Sequence, residues 1–156
     1  MPKALKEGDT APAIHVEDDQ GQPFELAKLK GTRVVLYFYP KADTPGCTTE
    51  AQGFRDCAKK FADAGAVIVG VSPDKPGALA KFKEKYKLPF TLLSDIDHHV
   101  ATAYGTWVEK SMYGRTYMGV ERSTFLIGTD GKIKNIFRKV KPATHPGEVC
   151  QALKSA

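Results

Sequence analysis

Cysteine is scarce: the chain has three in 156 residues, Cys47, Cys57 and Cys150. That is too few, and odd in number, for a disulfide framework, and the spacings match neither a CxxC pair nor a zinc ligand set. A reducing, cytoplasmic compartment is the expectation. Long apolar runs are lacking too. The stretch from Met1 to Gly31 carries Lys3, Lys6, Glu7 and Asp9 and no apolar run, so neither a secretory signal nor a membrane is expected. Also missing are arginine-rich blocks and basic residues interleaved with aromatics. The 23 lysines and arginines and the 18 acidic residues are interspersed, and the formal net charge of +5 reads as a mildly basic, solvated surface with no nucleic-acid partner. Repeats, linkers and low-complexity segments are absent as well. With 42% hydrophobic residues, 1–156 reads as a single domain around one packed core.

What is present alternates between two periods. TRVVLYFYP, ending at Pro40, is β-branched and aromatic on both faces, as a central strand covered on both sides requires. From Thr44 the period becomes helical: Ala51, Phe54, Ala58 and Phe61 recur at three- and four-residue steps, and Gly65 ends the helix. AVIVGVS is a second buried strand. DKPGALAKFKEKY follows as a helix with Asp74 available as cap, Pro76 in its first turn and Leu79, Phe82 and Tyr86 on its buried face. FTLLSD is a short third strand, STFLIGTDGKIKNIF a hairpin through Asp130-Gly131, and Val149 with Leu153 marks a closing helix. Parallel crossovers followed by an antiparallel hairpin and a terminal helix describe an α/β, thioredoxin-like fold, with a mixed central sheet flanked by helices.

The chemistry concentrates where the first buried strand hands over to the first helix. Thr44 is a favoured cap type and Pro45 suits the first helical position, which puts Gly46 and Cys47 in the first turn. Free backbone N–H groups and the positive end of the helix dipole favour a thiolate there, and the thiolate is the nucleophilic form of cysteine. Gly46 leaves the approach to the sulfur open, while the rings of Pro40 and Pro45 restrict water. Spacing alone leaves a second reading open, in which Cys47 is a small buried hydrophobe.

Pro40, Thr44 and Cys47 reproduce the PxxxTxxC signature, and FYPKADTPGCTTEAQGFRD resembles the bacterioferritin-comigratory subgroup of the peroxiredoxins. The likeness continues through YGTWVEKSMYGRTYMGVERSTFLIGTDGKI, and GDTAPAI resembles the subgroup's opening strand, so it covers nearly the whole chain. The resemblance implies a thiol peroxidase in which Cys47 attacks the peroxide and becomes a sulfenic acid, Thr44 holds the peroxide, Arg122 supports the thiolate and Pro40 shields the sulfur. It also implies a monomer, no cofactor, and a thioredoxin, glutaredoxin or small-thiol reductant. Arg122 keeps a plainer reading as a surface arginine paired with Glu121, and Thr44 as a helix cap. Glu50 and Arg55 read as an exposed helical pair. Trp107, Tyr39 and Phe90 read as core. No metal is expected, because the adjacent His98 and His99 point in different directions, with Asp95 and Asp97 as loop and cap residues.

The departure from the subgroup is the second sulfur. Members often carry a resolving cysteine five residues after the first or in the following helix; this chain has Gln52 at the first place and no cysteine from Asp74 to Tyr86. An intact helix keeps Cys57 from substituting, because ten residues rise about 15 Å, against an α-carbon separation of about 4.4 to 6.8 Å in a disulfide. Unfolding the helix would bring it near at the cost of exposing Phe54 and Phe61, about 1.5 to 3 kcal/mol each, and the sequence leaves the distance to Cys150 open. Cys57 reads instead as an inert thiol beside the buried stripe. An external thiol is therefore the expected resolver, in a one-cysteine cycle. The competing readings are a disulfide carrier, which would need a second cysteine near the first, and a non-catalytic thioredoxin-fold binding module.

Overall fold

Residues 5–155 are described by the computed structural model. The chain begins with a hairpin of β1 (His15–Asp18) and β2 (Pro23–Glu25) and a short 3-10 helix at Leu26–Leu29. Strand β3 (Arg33–Phe38) leads into helices α1 (Pro45–Asp56) and α2 (Ala58–Asp63), followed by β4 (Ala66–Ser72), α3 (Pro76–Tyr86) and β5 (Thr91–Ser94). Then come α4 (His99–Ala103), a hairpin of β6 (Trp107–Met112) and β7 (Arg115–Val120), a second hairpin of β8 (Ser123–Ile127) and β9 (Ile133–Phe137), and α5 (His145–Ser155).

Seven strands form one sheet in the order β2-β1-β5-β4-β3-β8-β9, with β3, β4 and β5 parallel and the remaining pairs antiparallel. This is the mixed thioredoxin-like sheet. The period of two along β3 divides the core. Val35 and Tyr37, with Tyr39 beyond the strand end, face a cluster containing Ala51, Phe54, Phe61, Leu79 and Phe82. Val34, Leu36 and Phe38 face the opposite cluster, with Val100, Tyr104 and Phe125. Both faces of β3 are therefore covered, and each large side chain withdrawn from water contributes about 1.5 to 3 kcal/mol.

The expected helix from Thr44 to Gly65 is two helices. Cys57 takes bridge-region dihedrals, φ −98° and ψ 0°, between α1 and α2. Its N–H is shared between the carbonyls of Gly53 and Phe54, so the ladder tightens at that point before Phe61 resumes it. Gly65 does end the segment, at φ +73°. Asp74 is not the cap of α3, whose N-cap position belongs to Lys75. The segment Gly8–Ile14 forms no strand; Thr10 makes one isolated bridge to Lys132, with Gly8 and Ala11 donating to Ile133 and Gly131 carbonyls. The β6–β7 hairpin is an addition to the elements expected from the sequence pattern. It carries little buried surface, and its turn at Tyr113-Gly114 has φ positive at both residues, 51° and 76°.

Helix α5 lies along α1. A β-carbon on Gly53 would stand 2.7 Å from Cγ of Pro146, and Phe54 meets the His145 ring edge-on at 6.0 Å. Alanine in a helix interior normally stabilises relative to glycine by roughly 1 kcal/mol, but here the methyl would wedge two helices apart. Gly53→Ala is expected to lower the unfolding free energy by about 1 to 3 kcal/mol, measured by denaturant melts; a gain in stability would show that the helices separate freely.

Candidate active site

The loop joining β3 to α1 is fastened from below. Its Ala42 N–H donates to Oδ2 of Asp74 at 2.7 Å, and that oxygen also accepts from the Ser72 hydroxyl at 2.8 Å. Asp43 sits in the left-handed region at φ 60°, which aspartate tolerates better than most residues. Its carboxylate accepts from the Tyr86 hydroxyl at 2.6 Å and the Lys85 ammonium at 2.9 Å, tying the loop to α3. Both aspartates act as struts for the helix start. Thr44 holds the N-cap position of α1, but its hydroxyl donates to the Lys41 carbonyl at 2.8 Å and makes no cap bond. Pro40 is half-buried and Pro45 exposed.

Cys47, on the first turn of α1, is 1% exposed. Nη2 of Arg122 donates to its sulfur at 3.4 Å, and Nη1 donates to Oε1 of Glu50 at 2.8 Å. The register explains how Arg122 arrives. Phe38 pairs with Ser123 across β3 and β8, so the residue preceding Ser123 lies beside the end of β3, where the chain turns into α1. Gly46 makes room for it, since a β-carbon there would stand 3.2 Å from Nη2. Arg122 thus pairs with Glu50 of α1 rather than with Glu121.

Glu50 is fully buried, which corrects its reading as half of an exposed pair. Cys47, Glu50, Ala51 and Phe54 follow the 0, 3, 4, 7 spacing of one helical face, and all four are buried. Its second oxygen, Oε2, and the hydroxyls of Tyr37 and Tyr39 are buried with no hydrogen-bond partner. Burial pushes the Glu50 carboxyl up to about 7, against the opposing pull of the Arg122 cation. Desolvation opposes the charge of Arg122, and the neighbouring Glu50 and Cys47 more than restore it, raising its pKa. Lys110 of β6 is half-buried near the same group; burial, then the Arg122 cation, lower its pKa.

Two buried groups bend the pH dependence of stability in opposite directions. Glu50 is raised from 4.5 to about 7, so its contribution is fully present below 4.5 and lost as pH rises through 7. His145, whose Nε2 pairs with the Thr124 hydroxyl at 2.6 Å, is lowered by burial from 6.5 to about 4. Its contribution is present above 6.5 and lost as pH falls through 4. Glu50→Gln removes the first slope only. Its unfolding free energy is expected to climb with pH between about 4.5 and 6.5 more steeply than that of the parent; denaturant midpoints across that range test this, and equal slopes would return Glu50 to the ordinary carboxylate range.

The other expectations sort by position. Tyr39 and Phe90 are core residues. Trp107 is half-buried and stacks on His98 at 3.7 Å, while His99 turns to Asp97, so the two histidines do point apart. Asp95 accepts from the N–H groups of Val100 and Ala101, capping α4. Asp95, Asp97 and His99 each bring one potential ligand atom within 4.8 Å of the others, but the aspartates are already engaged by these N–H groups and by His99. Arg55 bonds Asp56 and the Tyr86 carbonyl. Gln52 is half-buried on α1, and Cys57 is half-buried against the core rather than within it.

A buried cysteine on the first turn of a helix, held against a guanidinium at the edge of a thioredoxin-like sheet, is the arrangement of a thiol-dependent peroxidase. Comparison with known proteins specifies it. The sequence pattern of the AhpC/TSA family matches residues 7–136. The chain is 50% identical over 147 residues to peroxiredoxin Bcp of Bacillus subtilis, covering 94% of each chain. It is 47% identical over 150 residues to peroxiredoxin Bcp of Escherichia coli, covering 96% of each. Among solved structures, the bacterioferritin comigratory protein of Xanthomonas campestris superposes with a TM-score of 0.89 at 38% identity over 98% of both chains. A mutant of Xylella fastidiosa PrxQ does so with 0.92 at 34% identity, again over 98% of both. The chain belongs to the AhpC/TSA family and, within it, to the Bcp peroxiredoxins. No helix among the described residues is long and apolar enough to cross a membrane.

Proposed function

We propose that Cys47 is the peroxidatic nucleophile of a one-cysteine cycle acting on hydrogen peroxide and organic hydroperoxides. The observation that carries this reading is the guanidinium of Arg122, which donates to the Cys47 sulfur at 3.4 Å while held by Glu50 at 2.8 Å. A permanent cation fixed in that place supports the thiolate. The thiolate attacks the terminal oxygen of the peroxide, the O–O bond breaks, and the departing oxygen leaves as water or alcohol after taking up a proton, with Cys47 left as a sulfenic acid. Negative charge grows on the departing oxygen during this step, so a donor already aimed into the site stabilises the transition state more than the ground state. Thr44, whose hydroxyl stands at the mouth of the same helix, positions the peroxide, and Pro40 screens the sulfur from water. The Xanthomonas relative is described as reducing alkyl peroxides, which supports including organic hydroperoxides among the substrates.

Resolution falls to an external thiol. Gln52 occupies the place of the nearby second cysteine, α1 is an unbroken helix from Pro45 to Asp56, and Cys57 lies past its far end. The sulfenic acid condenses with one thiol, releasing water; a second thiol then displaces the first from the mixed disulfide and restores Cys47. A thioredoxin, a glutaredoxin or a small thiol fits this chemistry, and a monomer in the cytoplasm completes the reading. One equivalent of peroxide is expected to add one oxygen to the chain, about 16 mass units located on Cys47, with no cross-link from Cys47 to another cysteine. Intact-mass and peptide mapping test it; a disulfide joining Cys47 to Cys57 or Cys150 would replace the external resolver with an internal one.

A further inference from the structure

Two of the three cysteines have no part in this cycle, and the fold puts them together. Cys57 stands at the junction of α1 and α2, half-buried, and packs against the cluster to which Cys150 of α5 belongs. The Cys150 thiol is near enough to weigh on the Cys57 proton, raising its pKa after burial does. The helices are close for a second, independent reason. One turn before each cysteine, Gly53 of α1 meets Pro146 of α5 so tightly that a β-carbon would stand 2.7 Å from the proline ring. Glycine against proline brings two backbones nearer than larger side chains allow, and a disulfide requires such nearness, with α-carbons about 4.4 to 6.8 Å apart. Cys47 lies on the first turn of α1 and Cys57 just past its far end, while Cys150 is on α5.

We propose that Cys57 and Cys150 form a second redox site, a dithiol that closes to a disulfide joining the end of α1 to α5, independent of Cys47. The oxidant class is a low-molecular-weight disulfide. Cys57, the more exposed of the pair, loses its proton and attacks one sulfur of the small disulfide; a mixed disulfide forms and one small thiol departs with that proton. Cys150, 7% exposed, then gives up its proton and attacks the Cys57 sulfur, expelling the second small thiol. The protein loses two electrons and two protons, and the small disulfide is reduced to two thiols. Burial, and then the neighbouring Cys150, raise the pKa of the Cys57 thiol, so closure is slow at neutral pH and accelerates in alkali.

The test uses full-length Cys47→Ser incubated with oxidised glutathione, which separates this site from any failure of the peroxidase reading. A loss of about two mass units, with a single cross-linked peptide pair containing Cys57 and Cys150, is expected. Thermal unfolding should rise by roughly 5 to 10 °C on closure and return on reduction. Cys47→Ser/Cys150→Ser should stop at one glutathione on Cys57. Mapping the same cross-link in the unsubstituted chain frees the result from any folding defect in the variants. Unchanged thiols in excess oxidant, a lasting glutathione adduct on Cys57 with Cys150 free, or a cross-link between two chains would each overturn the proposal.

Discussion

Replacing Cys47 by serine is expected to remove peroxide consumption, a loss on the order of 10³-fold or more, while Cys57→Ser and Cys150→Ser keep most of it. The asymmetry follows from position. Only Cys47 lies at a helix start in contact with a cation, and a hydroxyl at that place is far too weakly acidic to supply the nucleophile. Coupled assays of peroxide loss with each variant, alongside circular dichroism to establish folding, decide the point. Equal rates for the parent and Cys47→Ser would dismiss catalysis through this thiol and leave the non-catalytic binding module standing. A disulfide carrier would instead lose activity on substitution of Cys57 or Cys150.

Arg122→Met should lower kcat/KM for peroxide by roughly 10²- to 10³-fold and, measured above pH 7 where Glu50 of the parent is ionised, destabilise the fold by about 1 to 3 kcal/mol. The two effects have different origins and can be separated. The kinetic loss comes from removing a donor aimed at the reacting atoms. The stability loss comes from stranding Glu50, which is fully buried and whose Oε1 has Arg122 as its partner at 2.8 Å. Adding Glu50→Gln to Arg122→Met removes the stranded charge, so the double variant should regain stability without regaining rate. If the double variant recovered activity, Arg122 would be acting only through the fold. If the single variant lost no stability, Glu50 would be neutral in the parent at the pH of measurement.

Much of this site was legible in the chain because it is local. The strand-to-helix junction, with Pro40, Thr44 and Cys47, occupies one continuous stretch, and strand period, cap type and proline preference all bear on it at once. Arg122 was accessible only through resemblance: its approach depends on the pairing of β3 with β8, which places residues 38 and 123 opposite one another. Glu50 was misread although a signal existed. Its charge argued for solvent, while its spacing from Cys47, Ala51 and Phe54 placed it on the buried face, and the guanidinium from another strand decided in favour of spacing. Asp43 and Asp74 were invisible as struts, since Asp43 finds its partners on α3 and Asp74, on the turn after β4, reaches back to Ala42 in the β3–α1 loop. The approach of Cys150 to Cys57 was equally hidden, being a product of how closely α5 settles on α1. The β6–β7 hairpin escaped for the opposite reason: with Tyr113 98% exposed at its tip, it has no buried face to impose an alternating pattern.

The 1% exposure of Cys47 sets a kinetic partition. On the proposed cycle, a small peroxide needs less room at a sulfur packed this way than a thiol carried on a larger molecule, which must approach in line with the sulfur-oxygen bond. On that cycle, at high peroxide, the lifetime of the sulfenic acid fixes how often a second peroxide arrives before the reductant and drives the sulfur to the sulfinic state.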